Sequence, residues 1–202
     1  MRRTVVGCIG ILCTLGATTL EAQEEAGEPG LGIGSLGVFV GAAAREKAGT
    51  GVEFGGKLDF GSLGMRRARM ILEAEILRAD IDRRDAANAE IDGSFRDFSA
   101  NVGINFNLIE IGRVLPYVGL GIGIHSLSNN TSHPVADDIY DGALIGAHAA
   151  LGASFVLGRA GRFGGHAEVR RVGAKDINRT SFRVGASILF GELVNPVAVN
   201  ER

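Results

Sequence analysis

Tryptophan is missing from these 202 residues, and there are only two tyrosines, two cysteines and four prolines. Both cysteines, Cys8 and Cys13, lie within the first 22 residues, so the remainder of the chain has no disulfide framework. Cys13 is no lipid-attachment site either, because Gly10-Ile11-Leu12 lacks the small residue expected just before such a cysteine. Four histidines fall on different predicted elements and give no metal-ligand spacing. With 21 Lys and Arg against 23 Asp and Glu, there is none of the basic excess that nucleic-acid binding requires. Few prolines accompany 31 glycines, but 46% of the residues are hydrophobic, enough apolar material to exclude a disordered chain.

What is present begins with a secretory pattern. Arg2 and Arg3 are followed by an apolar centre from Val5 to Leu20 and by Leu20-Glu21-Ala22, a small-residue cleavage site. Thr4-Val5-Val6 stands where a twin-arginine signal would carry more specific residues, so ordinary secretion is expected. Residues 1–22 read as a signal peptide, 23–30 as a flexible lead-in, 31–190 as one folded domain and 191–202 as a tail.

Across 31–190 the dominant signal is period-two alternation. Thr180 to Phe190 shows it clearly: Phe182, Val184, Ala186, Ile188 and Phe190 share one face, and Ser181, Arg183, Gly185 and Ser187 the other. Seven further strands are expected near 31–43, 51–60, 66–80, 94–109, 115–125, 143–157 and 163–173. The third, RMILEAEILRA, has residues of high helical propensity, but its alternating neighbours argue for strand. Gly32 to Gly37 formally fits a dinucleotide-binding G-x-G-x-x-G, yet it neither follows a strand nor opens a helix, so structural glycine is the better reading. Residues 83–92 and 126–140 are expected to be long polar connections.

The polar set decides which face meets lipid. Glu53, Lys57, Asp59, Glu73, Glu75, Asp97, Asn101, Asn105, His148, His166, Glu168, Arg170 and Arg183 share the non-apolar faces. These are too many charges for a dry soluble core, but they suit the interior of a small barrel whose apolar faces meet lipid. An unpaired buried charge costs several kcal/mol, so the acids are expected to pair across strands with Lys57, Arg170 and Arg183. The alternative is a soluble lipocalin-like barrel, with the apolar faces turned inward. Scarce Trp and Tyr make a weak aromatic girdle, for which Phe54, Phe60, Phe98, Phe106, Phe182 and Phe190 offer a substitute.

Arg183-Val-Gly185-Ala-Ser-Ile188-Leu-Phe190 resembles the terminal-strand signal, polar-x-Gly-x-x-apolar-x-apolar, by which outer-membrane barrels are recognised for assembly. With the signal peptide and eight strands, the chain resembles the small OmpA/OmpX-type outer-membrane barrels, a porin-like group. That resemblance implies an all-β, eight-stranded antiparallel up-and-down transmembrane barrel in the outer membrane. It also implies contact with outer-membrane lipid and with the barrel-assembly machinery through Arg183, Gly185, Ile188 and Phe190, and a periplasmic tail after Phe190.

Function is less legible. Small barrels that trim or acylate lipid A bring Ser, His and an acid together, and the available pieces here are His125-Ser126 and His166 with Glu168. The second pair faces inward and no comparable motif is present, so no catalytic residue is assigned. Asp137, Asp138 and Asp141 do not have the spacing of an EF-hand, and neither metal nor cofactor is expected. An eight-stranded interior is filled by side chains, which disfavours a pore and leaves at most a narrow channel. The expectation is a monomeric structural or surface-interaction barrel, its contact surface on 83–92 and 126–140.

Overall fold

The structure, a computed structural model, describes residues 31–190 apart from 46–47, 64, 66, 82, 85–89, 92, 110, 132–140, 158–161 and 176. The segments read as signal peptide, lead-in and tail therefore lie outside the described residues. The strands are β1 (Leu31–Arg45), β2 (Ala48–Ser62), β3 (Ala68–Asp80), β4 (Arg83–Arg84), β5 (Glu90–Ile91), β6 (Ser94–Asn107), β7 (Val114–Asn129), β8 (Gly142–Leu157), β9 (Phe163–Ala174) and β10 (Arg179–Leu189). Eight of them close a barrel in the order β1-β10-β9-β8-β7-β6-β3-β2, every pair antiparallel. Closure is completed by β1 against β10, from Ser35 opposite Leu189 to Arg45 opposite Arg179. A closed wall leaves no unpaired edge, which lets strands cross a bilayer.

Period two decides what each face meets. Val38 is 67% and Ile145 74% exposed on the outside, whereas Glu53 and Arg183 inside are 0% and 1% exposed. This is the reverse of a soluble barrel and excludes the lipocalin-like alternative: the apolar side chains form the outer wall. Phenylalanines lie on that wall toward both rims. Phe54, Phe98 and Phe182 stand toward one, and Phe60, Phe106, Phe163 and Phe190 toward the other, in the positions that aromatic girdles occupy.

Leu31 and Leu189, the two ends of the wall, share one rim, called here the terminal rim. Its connections, 63–67, 108–113 and 158–162, are short; Gly112, at φ 60°, supplies the left-handed residue of the second. The far rim carries the two long connections, 81–93 and 130–141.

Several expected boundaries shift. Ser126–Asn129, read as loop, continues β7: Leu127 is buried inside while Ser126 and Ser128 point outward. The alternation persists there, but polar residues take the outer face because the strand rises above the apolar belt. The connection 83–92 carries a short ladder, Arg83 opposite Ile91 and Arg84 opposite Glu90, that extends the far rim. Arg179, placed before the last strand by the sequence reading, is its first residue. That strand ends at Leu189, although the Phe190 amide still donates to the Gly34 carbonyl at 2.8 Å. Gly61 and Ser62, read as a turn, are the end of β2.

Candidate functional site

The barrel interior is layered. At the far rim Ala43, Leu77, Ala79, Ile81, Ile91 and Phe95 make an apolar cluster. Below it lies a charged layer, and at the terminal rim a cavity of about 60 Å³ is lined by Ser35, Asn105, Asn107 and Ser187 among others. The charged layer is the candidate site.

Arg183 on β10 is its hub. Its Nε donates to Glu53, and its Nη2 donates to Glu75 Oε2 at 2.5 Å. Gly41 of β1 stands in register between Arg183 and Glu53. A Cβ at Gly41 would come within 2.9 Å of Glu53 Oε1 and 3.0 Å of Arg183 Cγ, so the missing side chain lets the pair meet above β1. Phe39 lies beneath, with the Arg183 guanidinium 4.8 Å from its ring centre.

Arg179, one inward step along β10 beyond Ser181, donates through Nη1 to Asp97 Oδ2 at 2.5 Å and through Nη2 to Glu75. Asp97 is also 3.0 Å from His125 Nδ1. Arg170 donates from Nε to Glu168 Oε1 at 2.9 Å and pairs with Glu73. Lys57 Nζ lies 3.5 Å from Glu73 and 3.7 Å from Glu168. Neutral donors complete the layer: Tyr117 to Glu168 Oε2 at 2.8 Å, Ser99 to Glu75 Oε1 at 2.9 Å, and Asn101 to the Ser99 hydroxyl at 3.1 Å. Several of these pairs cross the lumen, since β1 and β2 separate β10 from β3.

Of the thirteen residues expected inside, Glu53, Lys57, Glu73, Glu75, Asp97, Asn101, Glu168, Arg170 and Arg183 meet in this layer. The other four stand apart. Asp59 pairs with Arg69 at 2.7 Å nearer the terminal rim, and Asn105 lines the cavity. His148 packs where Gly121 leaves room, and His166 meets Phe39 edge to face at 6.4 Å between ring centres. Sequence reasoning missed Arg179, Arg69 and Tyr117, and it put Ser99 and His125 on the inward faces without assigning them to the network. Continuing the alternation of β10 one period toward its start exposes Arg179, which shares the parity of Arg183.

Chemically, the layer holds charges in place. Its carboxylates are engaged by guanidinium groups, and among the described residues no group of three His, Cys, Asp or Glu is placed to hold a metal ion. His125 faces inward while Ser126 faces outward, so these neighbours share no site. Of the residues read from the sequence as an assembly signal, Arg183 is buried inside, whereas Ile188 and Phe190 stand outward at 48% and 42% exposure.

A closed antiparallel wall of eight strands, apolar outside and charged inside, defines a transmembrane β-barrel of the outer-membrane class. The chain belongs to the outer membrane protein beta-barrel domain family, whose profile it matches over residues 9–190, and it resides in the outer membrane. Neisserial surface protein A shares the fold with a TM-score of 0.53 at 13% identity, covering 77% of this chain and 96% of that one. The outer membrane protein OprG from Pseudomonas aeruginosa gives a TM-score of 0.52 at 11% identity, covering 79% and 95%. No curated protein sequence matches the chain. In this architecture short turns face the periplasm and long loops the exterior, so the terminal rim is periplasmic and the far rim external.

Proposed function

We propose that this protein is a non-conducting, non-catalytic barrel with a structural or surface-interaction role, its interior held by the charged network and its contact surface formed by residues 83–92 and 126–140. The observation that carries the reading is the filled lumen. An apolar cluster closes the external end, interlocked guanidinium–carboxylate pairs occupy the middle, and the cavity of about 60 Å³ lies on the periplasmic side of those pairs. Eight strands leave an interior that side chains can fill. The outward Ser126 and the inward His125 support the non-catalytic reading, because neighbours on opposite faces of the wall do not meet in one site.

The same reading takes residues 1–22 as signal peptide, 23–30 as lead-in, 31–190 as the barrel and 191–202 as a periplasmic tail. Arg183, Gly185, Ile188 and Phe190 serve the assembly machinery, and the barrel works as a monomer. Planar-bilayer recording and lipid A mass spectrometry test the reading together. The purified barrel is expected to give no conductance steps, and its expression to leave the lipid A mass profile unchanged. Regular conductance would establish a channel instead, and a deacylated or acylated lipid A would establish an enzyme.

A further inference from the structure

The outer wall of β3 and β6 changes character at one level. From the periplasmic side, five apolar cross-strand pairs succeed one another: Ala68 with Phe106, Met70 with Ile104, Leu72 with Val102, Ala74 with Ala100 and Ile76 with Phe98. The next outward pair is Arg78 with Arg96, and beyond it only Asp80 with Ser94 remains before the external loop. Arg78 and Arg96 are both exposed. Directly opposed residues of an antiparallel pair have Cβ atoms about 5 Å apart, and like charges so placed repel. Neither arginine forms a hydrogen bond or ion pair among the described residues. Their flanking neighbours on the same face, Val52 of β2 and Ser128 of β7, carry no charge.

We infer that Arg78 and Arg96 together clamp the phosphate monoester of an outer-leaflet glycolipid. Two charges that repel in the empty wall become complementary once an anion lies between them. A phosphate monoester carries about −1.5 to −2 charge and presents three acceptor oxygens, matching two guanidinium forks. Depth selects the lipid source. The pair stands one step above the apolar belt, where the acyl chains of a lipid lying along Ile76 and Phe98 would bring its phosphorylated headgroup. Asp80, the acid nearest on this face, lies one pair further out, on the aqueous side. A comparable transition on β9 and β10 pairs Arg171 with Thr180 instead; there the guanidinium is hydrogen-bonded to the hydroxyl at 2.8 Å, so that wall has a single cation already engaged.

The test uses the full chain in phosphatidylcholine nanodiscs doped with diphosphoryl lipid A, or with the same lipid stripped of its phosphates. Native mass spectrometry reads the retained glycolipid, and heat-modifiable gel migration reports folding. The wild type is expected to retain the phosphorylated lipid and release the stripped one. Arg78→Gln and Arg96→Gln should each weaken retention about tenfold, the loss expected for one charge-assisted contact, and the double variant should abolish it. Arg78→Lys with Arg96→Lys keeps the charge without the forks and should fall between wild type and the Gln pair, which preserves the test if the Gln pair does not fold. Arg171→Gln should leave retention unchanged. Full retention by a folded double variant, or equal retention of the stripped lipid, would overturn the assignment. Competition by inorganic phosphate at concentrations comparable to the lipid would also overturn it, by showing a site for the free anion.

Discussion

Arg183 shows how a single side chain can organise a lumen. It is 1% exposed and bonds two carboxylates contributed by different strands, Glu53 and Glu75. A charge removed from water is costly until it is paired, and removing one partner leaves the other stranded. Arg183→Met is therefore expected to destabilise the barrel by about 3–5 kcal/mol, measured as the shift in urea unfolding tracked by heat-modifiable migration. Adding Glu53→Gln should recover part of that loss, because the two substitutions act on one contact and are not additive. Gly41→Val makes the complementary test, since its side chain would enter the space where Arg183 and Glu53 meet and would press on the Phe182 carbonyl, 2.6 Å from an added Cβ. It should cost about 1–3 kcal/mol, the usual range for overpacking. At this scale the alternation revealed which residues face inward, but not which partners they choose. Arg183 and Glu53 lie 130 positions apart, and Arg179 and Glu75 lie 104 apart. Such pairings depend on register summed around the wall, which no local pattern encodes.

Each wall strand is a ruler of membrane depth. On β6 the outward residues Phe98, Ala100, Val102, Ile104 and Phe106 are apolar, and on β7 the outer face turns polar at Ser126 and Ser128. The cost of a lipid-facing arginine falls from about 2–4 kcal/mol at the bilayer midplane to about 0–1 kcal/mol near the interface. Val102→Arg should accordingly destabilise by the first amount and Ser126→Arg, whose cross-strand neighbours Phe98 and Ala143 carry no charge, by the second, both read from urea titrations of the barrel in lipid vesicles. The end of β10 carries a different burden. Phe190 stands outward at the periplasmic rim, and its amide ties the wall to Gly34. Phe190→Asp should lower the yield of barrel recovered from outer-membrane fractions, and normal insertion would remove this residue from the assembly signal. The strands themselves were legible because one face of each is apolar. The ends were not: once a strand leaves the lipid, its outward residues turn polar and it reads as loop, as Ser126–Asn129 did.

At the scale of the whole molecule, the two long external connections differ in what they give the barrel. Closure is complete in the eight-strand ladder and needs neither of them. The connection after β7 begins with Asn130, whose amide donates to the Ser94 carbonyl at 3.0 Å and whose side-chain oxygen accepts from the Ser94 amide at 2.6 Å. Replacing 132–140 with a short Asn-Gly turn leaves the Asn130–Ser94 contacts in place, so the end of β7 should keep its anchorage to β6. The connection between β3 and β6 contributes Ile81 and Ile91 to the apolar cluster that covers the lumen from outside, each at most 5% exposed. Replacing 83–92 removes Ile91 and opens Leu77 and Phe95 to water. Burying one such side chain is worth about 1.5–3 kcal/mol, so this variant should lose at least that much while still migrating as a folded barrel. Measuring both replacements by urea unfolding separates a loop that serves only as contact surface from one that also seals the interior. Wild-type stability of the 83–92 replacement would show that Ile91 contributes nothing to covering the lumen from outside.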